Sequence, residues 1–199
     1  MEEHFKNSNK KKVIINKYNS SAHFYDRRYK QIQSEKYELI LNNYYVNGKT
    51  ILDIGCGTGL LFEYISKLKK ADYLNRYKYV AIDISWNMLS EFKSKVINYK
   101  PKNNLELILG DIENLPFREN VFDSIFSITS LQNLANINRG ICELLRLSMN
   151  YGDFNFSILR KKLNLDALLD LIKPFSREIK TIDKDFLEDV IILGKFVKK

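Results

Sequence analysis

The stretch ILDIGCGTGL, residues 51–60, decides how the rest of the chain is read. A short apolar run, Ile51 to Ile54, passes directly into Gly55-Cys56-Gly57-Thr58-Gly59 and then into Leu60 and Leu61. Leu61, Ile65 and Leu68 then recur on one helical face,. The order is therefore strand, sharp turn, helix. Glycines let the backbone turn tightly and let a ligand approach with no Cβ in the way. Gly-x-Gly gains its weight from this place between a strand and a helix.

Working outward, short runs rich in β-branched residues predict strands at Thr50–Ile54, Tyr79–Ile84, Leu105–Leu109, Val121–Ile128 and Phe154–Leu159,. Two more close the chain, near Glu178–Ile182 and Val190–Val197. Helical periods lie between them. Ile137, Ile141, Leu144 and Leu145 share a face, as do Leu165, Leu168, Leu169 and Ile172, with Pro174 as the stop,. A helix over Gln31–Tyr45 precedes the first strand and buries Tyr37, Ile40, Leu41 and Tyr44. Alternation of this kind implies an α/β chain with a mostly parallel sheet and helices on both faces. The expected organisation is a single domain over 1–199. Residues 1–17 are expected to be disordered, 18–46 helical and 47–199 the α/β core.

Ligands of such sheets bind beyond the carboxyl ends of the strands. A dinucleotide site prefers G-x-G-x-x-G, and here the third glycine comes one residue early,. Asp53, two residues before Gly55, would repel a phosphate. A cofactor without phosphate, carrying a cationic sulfonium and an ammonium, fits the loop better; a turn that binds nothing is the plainer alternative. In VAIDIS, residues 80–85, Asp83 ends the second strand. A carboxylate there accepts from ribose hydroxyls, and either it or Ser85 could instead cap the following helix. In LILGDIENLPF, residues 107–117, Asp111 follows the third strand. Its carboxylate can accept from an adenine amino group while the next N–H donates to a ring nitrogen; a turn aspartate is the alternative. In VFDSIFSITSLQNL, residues 121–134, Asp123 opens a buried strand that Ser127 and Ile128 close.

These four segments, in order and in register, resemble the class I S-adenosylmethionine-dependent methyltransferases. The resemblance runs from about Tyr18 to the end and implies a Rossmann-like seven-stranded sheet with its last strand antiparallel. It is nearest to methyltransferases of the ubiquinone/menaquinone type and to those acting on wobble uridines of tRNA. Both carry a Y...A..YD pattern, here Tyr18, Ala22, Tyr25 and Asp26, in a segment that folds over the cofactor. The implied cofactor is S-adenosyl-L-methionine, with binding residues Asp53, Gly55, Cys56, Gly57, Asp83, Ile84, Met88, Asp111, Ile112 and Ser127. Candidate substrate contacts are Tyr25, Gln132 and Asn133. The relatives' His-His pair after the fourth strand is replaced by Gln132 and Asn133, and the Pro-Gly-Gly turn before the fifth strand is missing. Positioning of nucleophile and methyl carries most of such a reaction, so no catalytic residue is assigned.

Composition narrows the rest. Of the 199 residues 45% are hydrophobic, which excludes a disordered chain,. No apolar run approaches the ~18 residues of a membrane span. The first residues carry no apolar segment behind their charges, so the chain is expected to be cytoplasmic. Cys56 and Cys142 make no disulfide framework, and His4 and His23 lie far from both, so no metal site is expected,. The net charge of +8 points to a solvated lysine-rich surface or to an anionic partner such as RNA or an acidic protein,. Arg27, Arg28 and Lys30, with Arg160, Lys161 and Lys162, are expected to flank one mouth. The third strand, expected at a sheet edge, offers a place for a small zinc-ribbon activator protein of the kind some relatives use. Three classes stand: a methyltransferase acting on RNA or protein, one acting on a small metabolite, and a non-catalytic cofactor-binding subunit.

Overall fold

A computed structural model describes residues 2–42, 50–67, 77–97, 104–162 and 164–198. The chain runs α1 (Glu2–Asn42), β1 (Thr50–Ile54), α2 (Leu60–Lys67), β2 (Lys78–Asp83), α3 (Trp86–Val96), β3 (Leu105–Leu109), β4 (Phe122–Ile128), α4 (Ile137–Leu147), β5 (Ser148–Leu159), α5 (Leu165–Ile172), β6 (Ser176–Asp183) and β7 (Asp189–Phe196). The strands form one seven-stranded sheet in the order β3-β2-β1-β4-β5-β7-β6. The pairs from β3 through β5 are parallel, and β7 runs antiparallel to both β5 and β6. This is the mostly parallel sheet expected from the alternation, in the seven-stranded Rossmann-like form that the resemblance implied, with β3 at one edge. The order reverses at β1, which has β2 on one side and β4 on the other. A crevice therefore opens at the carboxyl end of β1, where the glycine loop begins.

Strand residues alternate between two cores. Ile51, Tyr79, Ala81 and Phe126 pack under α1, α2 and α3. Leu52, Ile54, Val80, Ile82, Ile125, Phe154 and Phe156 pack under α4 and α5. The helical faces read from the sequence are the ones buried: Leu61 and Ile65, then Ile141 and Leu144, then Leu168 and Ile172. Leu68 and Tyr44 lie outside the described residues. Ser85 caps α3 by accepting from Met88 N, so the capping alternative falls to Ser85 and leaves Asp83 for other partners,. Asn136 caps α4 and Asn164 caps α5 in the same way. β5 begins six residues earlier than its apolar run suggests, because Ser148 pairs with Phe122 ahead of an irregularity in the ladder,.

The N-terminal segment departs from expectation. Residues 2–17, read as disordered, belong to a single helix that continues to Asn42. No glycine or proline interrupts this run; the first of either is Gly48,. Tertiary contacts hold its polar start, which composition could not show: Lys11 pairs with Asp111 at 2.6 Å and with Glu113 at 2.7 Å.

Candidate functional site

The glycine loop is pinned across the end of β2. Gly55 N and Cys56 N both donate to Ile82 O, at 2.8 and 3.0 Å. Three left-handed residues make the turn, with φ of 68° at Gly55, 55° at Gly57 and 80° at Gly59. A Cβ on Gly59 would lie 2.3 Å from the Phe92 ring, which packs the loop onto α3. A Cβ on Gly57 would meet nothing within 4 Å. The loop is therefore open above Gly57, toward the cavity.

That cavity is lined by Gly55, Gly57, Asp83, Ile84, Met88, Asp111, Ile112, Asn133 and Tyr25, all read from the sequence as candidates. Asp83 accepts from Gly57 N and from Ser85 N, each at 2.8 Å. A carboxylate has about four acceptor positions, so these donors do not exhaust it and acceptor capacity is left for a ribose hydroxyl. Burial raises the Asp83 pKa, and the backbone N–H donors of Ser85, Gly57 and Ile84 oppose that,. Asp111 accepts from Glu113 N at 3.0 Å and from Lys11 Nζ.

Four candidates lie off this cavity. Asp53 and Cys56 line a smaller hollow behind the loop, which shares Tyr25, Gly55, Gly57 and Ile128 with it. Asp53 is buried and accepts from the Tyr79 hydroxyl at 2.8 Å; burial pushes its pKa up to about 7. Burial likewise raises the Cys56 thiol. Ser127 is fully buried beneath the floor and hydrogen-bonds Ser130. Gln132 turns back, its Nε2 donating to Thr129 O at 2.7 Å. Single-strand periodicity places Ser127 and Gln132 near the right loop but not which way each side chain turns.

The roof is α1. Ile14, Tyr18 and Tyr25 face the cavity, and Asn133 Nδ2 donates to the Tyr18 hydroxyl at 2.9 Å. Burial raises both tyrosine pKa values. Asn19 accepts from Ser85 and Asn87, Asp26 accepts from Thr58 and pairs with Lys95, and Lys30 pairs with Glu63. Further along, Lys36 Nζ donates to Thr129 Oγ1 and lies 2.8 Å from Asp189 Oδ1. Lys11, Glu113, Leu134 and Ala135 line the cavity without having been singled out as contacts. Lys11 was hidden by the reading of its segment as disordered. Of the two basic groups expected at the mouth, Arg160 pairs with Asp183, and neither group is among the residues lining the cavity.

An S-adenosyl group fits this donor set. Two carboxylates, Asp83 and Asp111, line one cavity and could supply acceptors to ribose hydroxyls and an adenine amino group, and open space lies over Gly57. Behind the loop the Gln33 Oε1 is buried with no hydrogen-bond partner. No helix among the described residues is long and apolar enough to cross a membrane.

A family described as "Methyltransferase domain" matches residues 52–155. A demethylmenaquinone methyltransferase from Symbiobacterium thermophilum is 31% identical over 143 residues, 72% of this chain and 51% of that protein. An 18S rRNA (guanine-N(7))-methyltransferase from Bos taurus is 37% identical over 90 residues, 45% of this chain and 27% of that protein. The chain thus spans about half the length of the first and about a quarter of the second. A SAM-dependent methyltransferase from Aquifex aeolicus has the same fold, with a TM-score of 0.71 at 18% identity, covering 90% of this chain and 98% of that one.

Proposed function

The chain belongs to the methyltransferase-domain family as a class I S-adenosylmethionine-dependent methyltransferase, and on that premise we propose that it methylates a small, largely apolar metabolite held beneath α1. One observation carries the choice of acceptor. The cavity has an aromatic and aliphatic roof and walls, including Ile14, Tyr18, Tyr25, Ile128 and Leu134. Lys11 is the one cationic side chain lining it among the described residues, and two carboxylates already hold it. Such a space suits an apolar ring and offers a phosphate backbone no free cation. The name of the Symbiobacterium thermophilum relative, a methyltransferase of a quinone precursor, supports the same class of acceptor.

When bound, S-adenosylmethionine supplies a methyl group on a cationic sulfur. The protein's own work is positioning. The Gly55–Gly59 loop leaves room over Gly57, Asp83 would take the ribose hydroxyls, and Asp111 with the Ile112 N–H would receive the adenine edge. Tyr18 and Asn133, joined by a hydrogen bond, would present a polar edge to the acceptor beside the apolar side chains of Ile14, Ile128 and Leu134. α1 keeps bulk water from the reacting atoms.

The test is transfer of a labelled methyl group into a cell extract afterwards split into small molecules, RNA and protein. Label in the organic-soluble small-molecule fraction is expected. Label in RNA alone would overturn the acceptor class in favour of the reading that the net charge of +8 and the rRNA-modifying relative support. Tight binding of S-adenosylhomocysteine with no label anywhere would favour a non-catalytic subunit.

A further inference from the structure

The residue that follows β4 is strained. Thr129 has a φ of 56°, a left-handed conformation that a β-branched side chain rarely adopts. Strain of this kind persists only where the surroundings over-determine it. Here three elements converge on one residue. Thr129 N donates to Ser157 O of β5 at 2.7 Å. Its hydroxyl accepts from Lys36 Nζ of α1 and donates to Asp189 Oδ2 of β7, each at 2.8 Å. The Ser157 hydroxyl donates to the same carboxylate. Lys36 and Asp189 pair out of contact with solvent, and neither is among the residues lining the cavity. Thr129 does line it. Its carbonyl accepts from Gln132 Nε2 at 2.7 Å, and Asn133 Nδ2, which donates to the Tyr18 hydroxyl, lies 3.5 Å from the same oxygen. One connected set of polar groups thus runs from a sealed ion pair to the polar edge of the cavity. A buried pair is a poor way to gain stability, because desolvation cancels much of its attraction. What it does supply is a single geometry. The ammonium and the carboxylate leave the Thr129 hydroxyl one orientation in which it both accepts and donates.

We propose that Lys36 and Asp189 are positioning residues for the methyl acceptor: through Thr129 they lock the turn over 129–133, so that Asn133 and Tyr18 meet the acceptor in one fixed arrangement. This rests on the reading above of an acceptor held beneath α1. The pair acts from outside the cavity and touches no reacting atom. Gly57, Asp83 and Asp111, the residues assigned to the cofactor, hold their own partners elsewhere. Orientation of the acceptor and seating of the cofactor are therefore separable. Methyl transfer depends steeply on alignment, so a loosened turn costs rate more than cofactor affinity.

Two substitutions in the whole chain separate the hydroxyl link from the shape of the side chain. Thr129→Val keeps the β-branch and removes the hydroxyl, whereas Thr129→Ser keeps the hydroxyl. With saturating labelled S-adenosylmethionine and one cell extract, Thr129→Val is expected to label the small-molecule fraction about ten- to a hundredfold more slowly than wild type. Thr129→Ser is expected to stay within about threefold of wild type. Calorimetry should find S-adenosylhomocysteine bound within about threefold by all three proteins. The side-chain amide resonances of Gln132 and Asn133 report on the turn without any acceptor. They should be separate and dispersed in wild type and Thr129→Ser, and averaged in Thr129→Val. Equal transfer by Thr129→Val and wild type would overturn the proposal, as would a Thr129→Ser as slow as Thr129→Val. A loss of rate matched by a loss of S-adenosylhomocysteine affinity would make the network a prop for the whole site and overturn it too. Averaged amide resonances in wild type would do the same, a measurement that stands even if Thr129→Val does not fold. A wild type that labels no small molecule overturns the acceptor reading instead, and the amide resonances then decide by themselves whether the network holds the turn.

Discussion

Lys36 and Asp189 form a buried ion pair whose loss should be measurable without knowing the acceptor. Their side chains are 3% and 0% exposed and 2.8 Å apart. At that distance the gross attraction is about 6 kcal/mol with an effective dielectric of ~20. Desolvation of both ions offsets much of this, so the pair need not be strongly stabilising as a whole. Removing one partner is different. Lys36→Met leaves a carboxylate enclosed by α1, β5 and β7, with the hydroxyls of Thr129 and Ser157 donating to it and no cation replacing the ammonium among the described residues. The expected loss is about 3–5 kcal/mol of unfolding free energy. Asp189→Asn keeps an acceptor for those hydroxyls but strands the ammonium, with a loss of similar size. The double variant buries no net charge and should lose far less than the sum, giving a coupling of at least about 2 kcal/mol. Urea unfolding of the four proteins provides the measurement. A Lys36→Met loss below about 1 kcal/mol, or strict additivity, would refute the argument that this pair is buried and mutually dependent.

Asp53 predicts a pH dependence. Its pKa is raised in the fold from 3.8 to about 7. A raised carboxylate contributes stability fully below its unfolded pKa and loses it as pH rises through the folded one. Three units correspond to about 4 kcal/mol at most, so Asp53→Asn should melt above wild type at pH 8, with the gap closing toward pH 4. Parallel melting curves across that range would contradict the burial of an ionised Asp53. The glycines should separate by role. Gly59→Ala puts a Cβ into the Phe92 ring at a φ of 80° and should destabilise the fold by roughly 3 kcal/mol,. Gly57→Ala meets no atom, so about 1–2 kcal/mol of backbone strain is expected,. Its methyl group intrudes on the cavity, and S-adenosylhomocysteine affinity should fall more than stability does. A Gly57→Ala protein that binds the ligand normally would show that the loop does not face it.

The sheet was legible because each strand carries its own signal. Short β-branched runs ending in Gly55, Asp83, Asp111 and Ser127 mark both the strands and their carboxyl ends, and parallel topology brings those ends together. The floor of the site could thus be read residue by residue. Its roof could not. Lys11 and Gln33 sit on a mostly polar helix whose apolar face is weak; Lys11 pairs with the distant Asp111, and Gln33 lines the same hollow as Asp53. Local periodicity does not carry that information. The turn of a single side chain is equally invisible, which is why Ser127 and Gln132 were placed on the right loop but not facing into the cavity.

α1 crosses the site as one rod roughly 60 Å long, at ~1.5 Å per residue,. It is fastened at successive points by Lys11, Asn19, Asp26, Lys30 and Lys36. Most of these links are polar and partly exposed, each worth on the order of 1 kcal/mol. Only the last is sealed inside. A helix held this way comes off like a zipper, from its outermost link toward its buried anchor. Undoing the first two links uncovers Asp111 and Asp83 while Lys36 still holds the rest in register. The residence time of a bound ligand is then set by how many fasteners it must wait for, and because the outermost, at Lys11, is ionic, salt is expected to shorten it,.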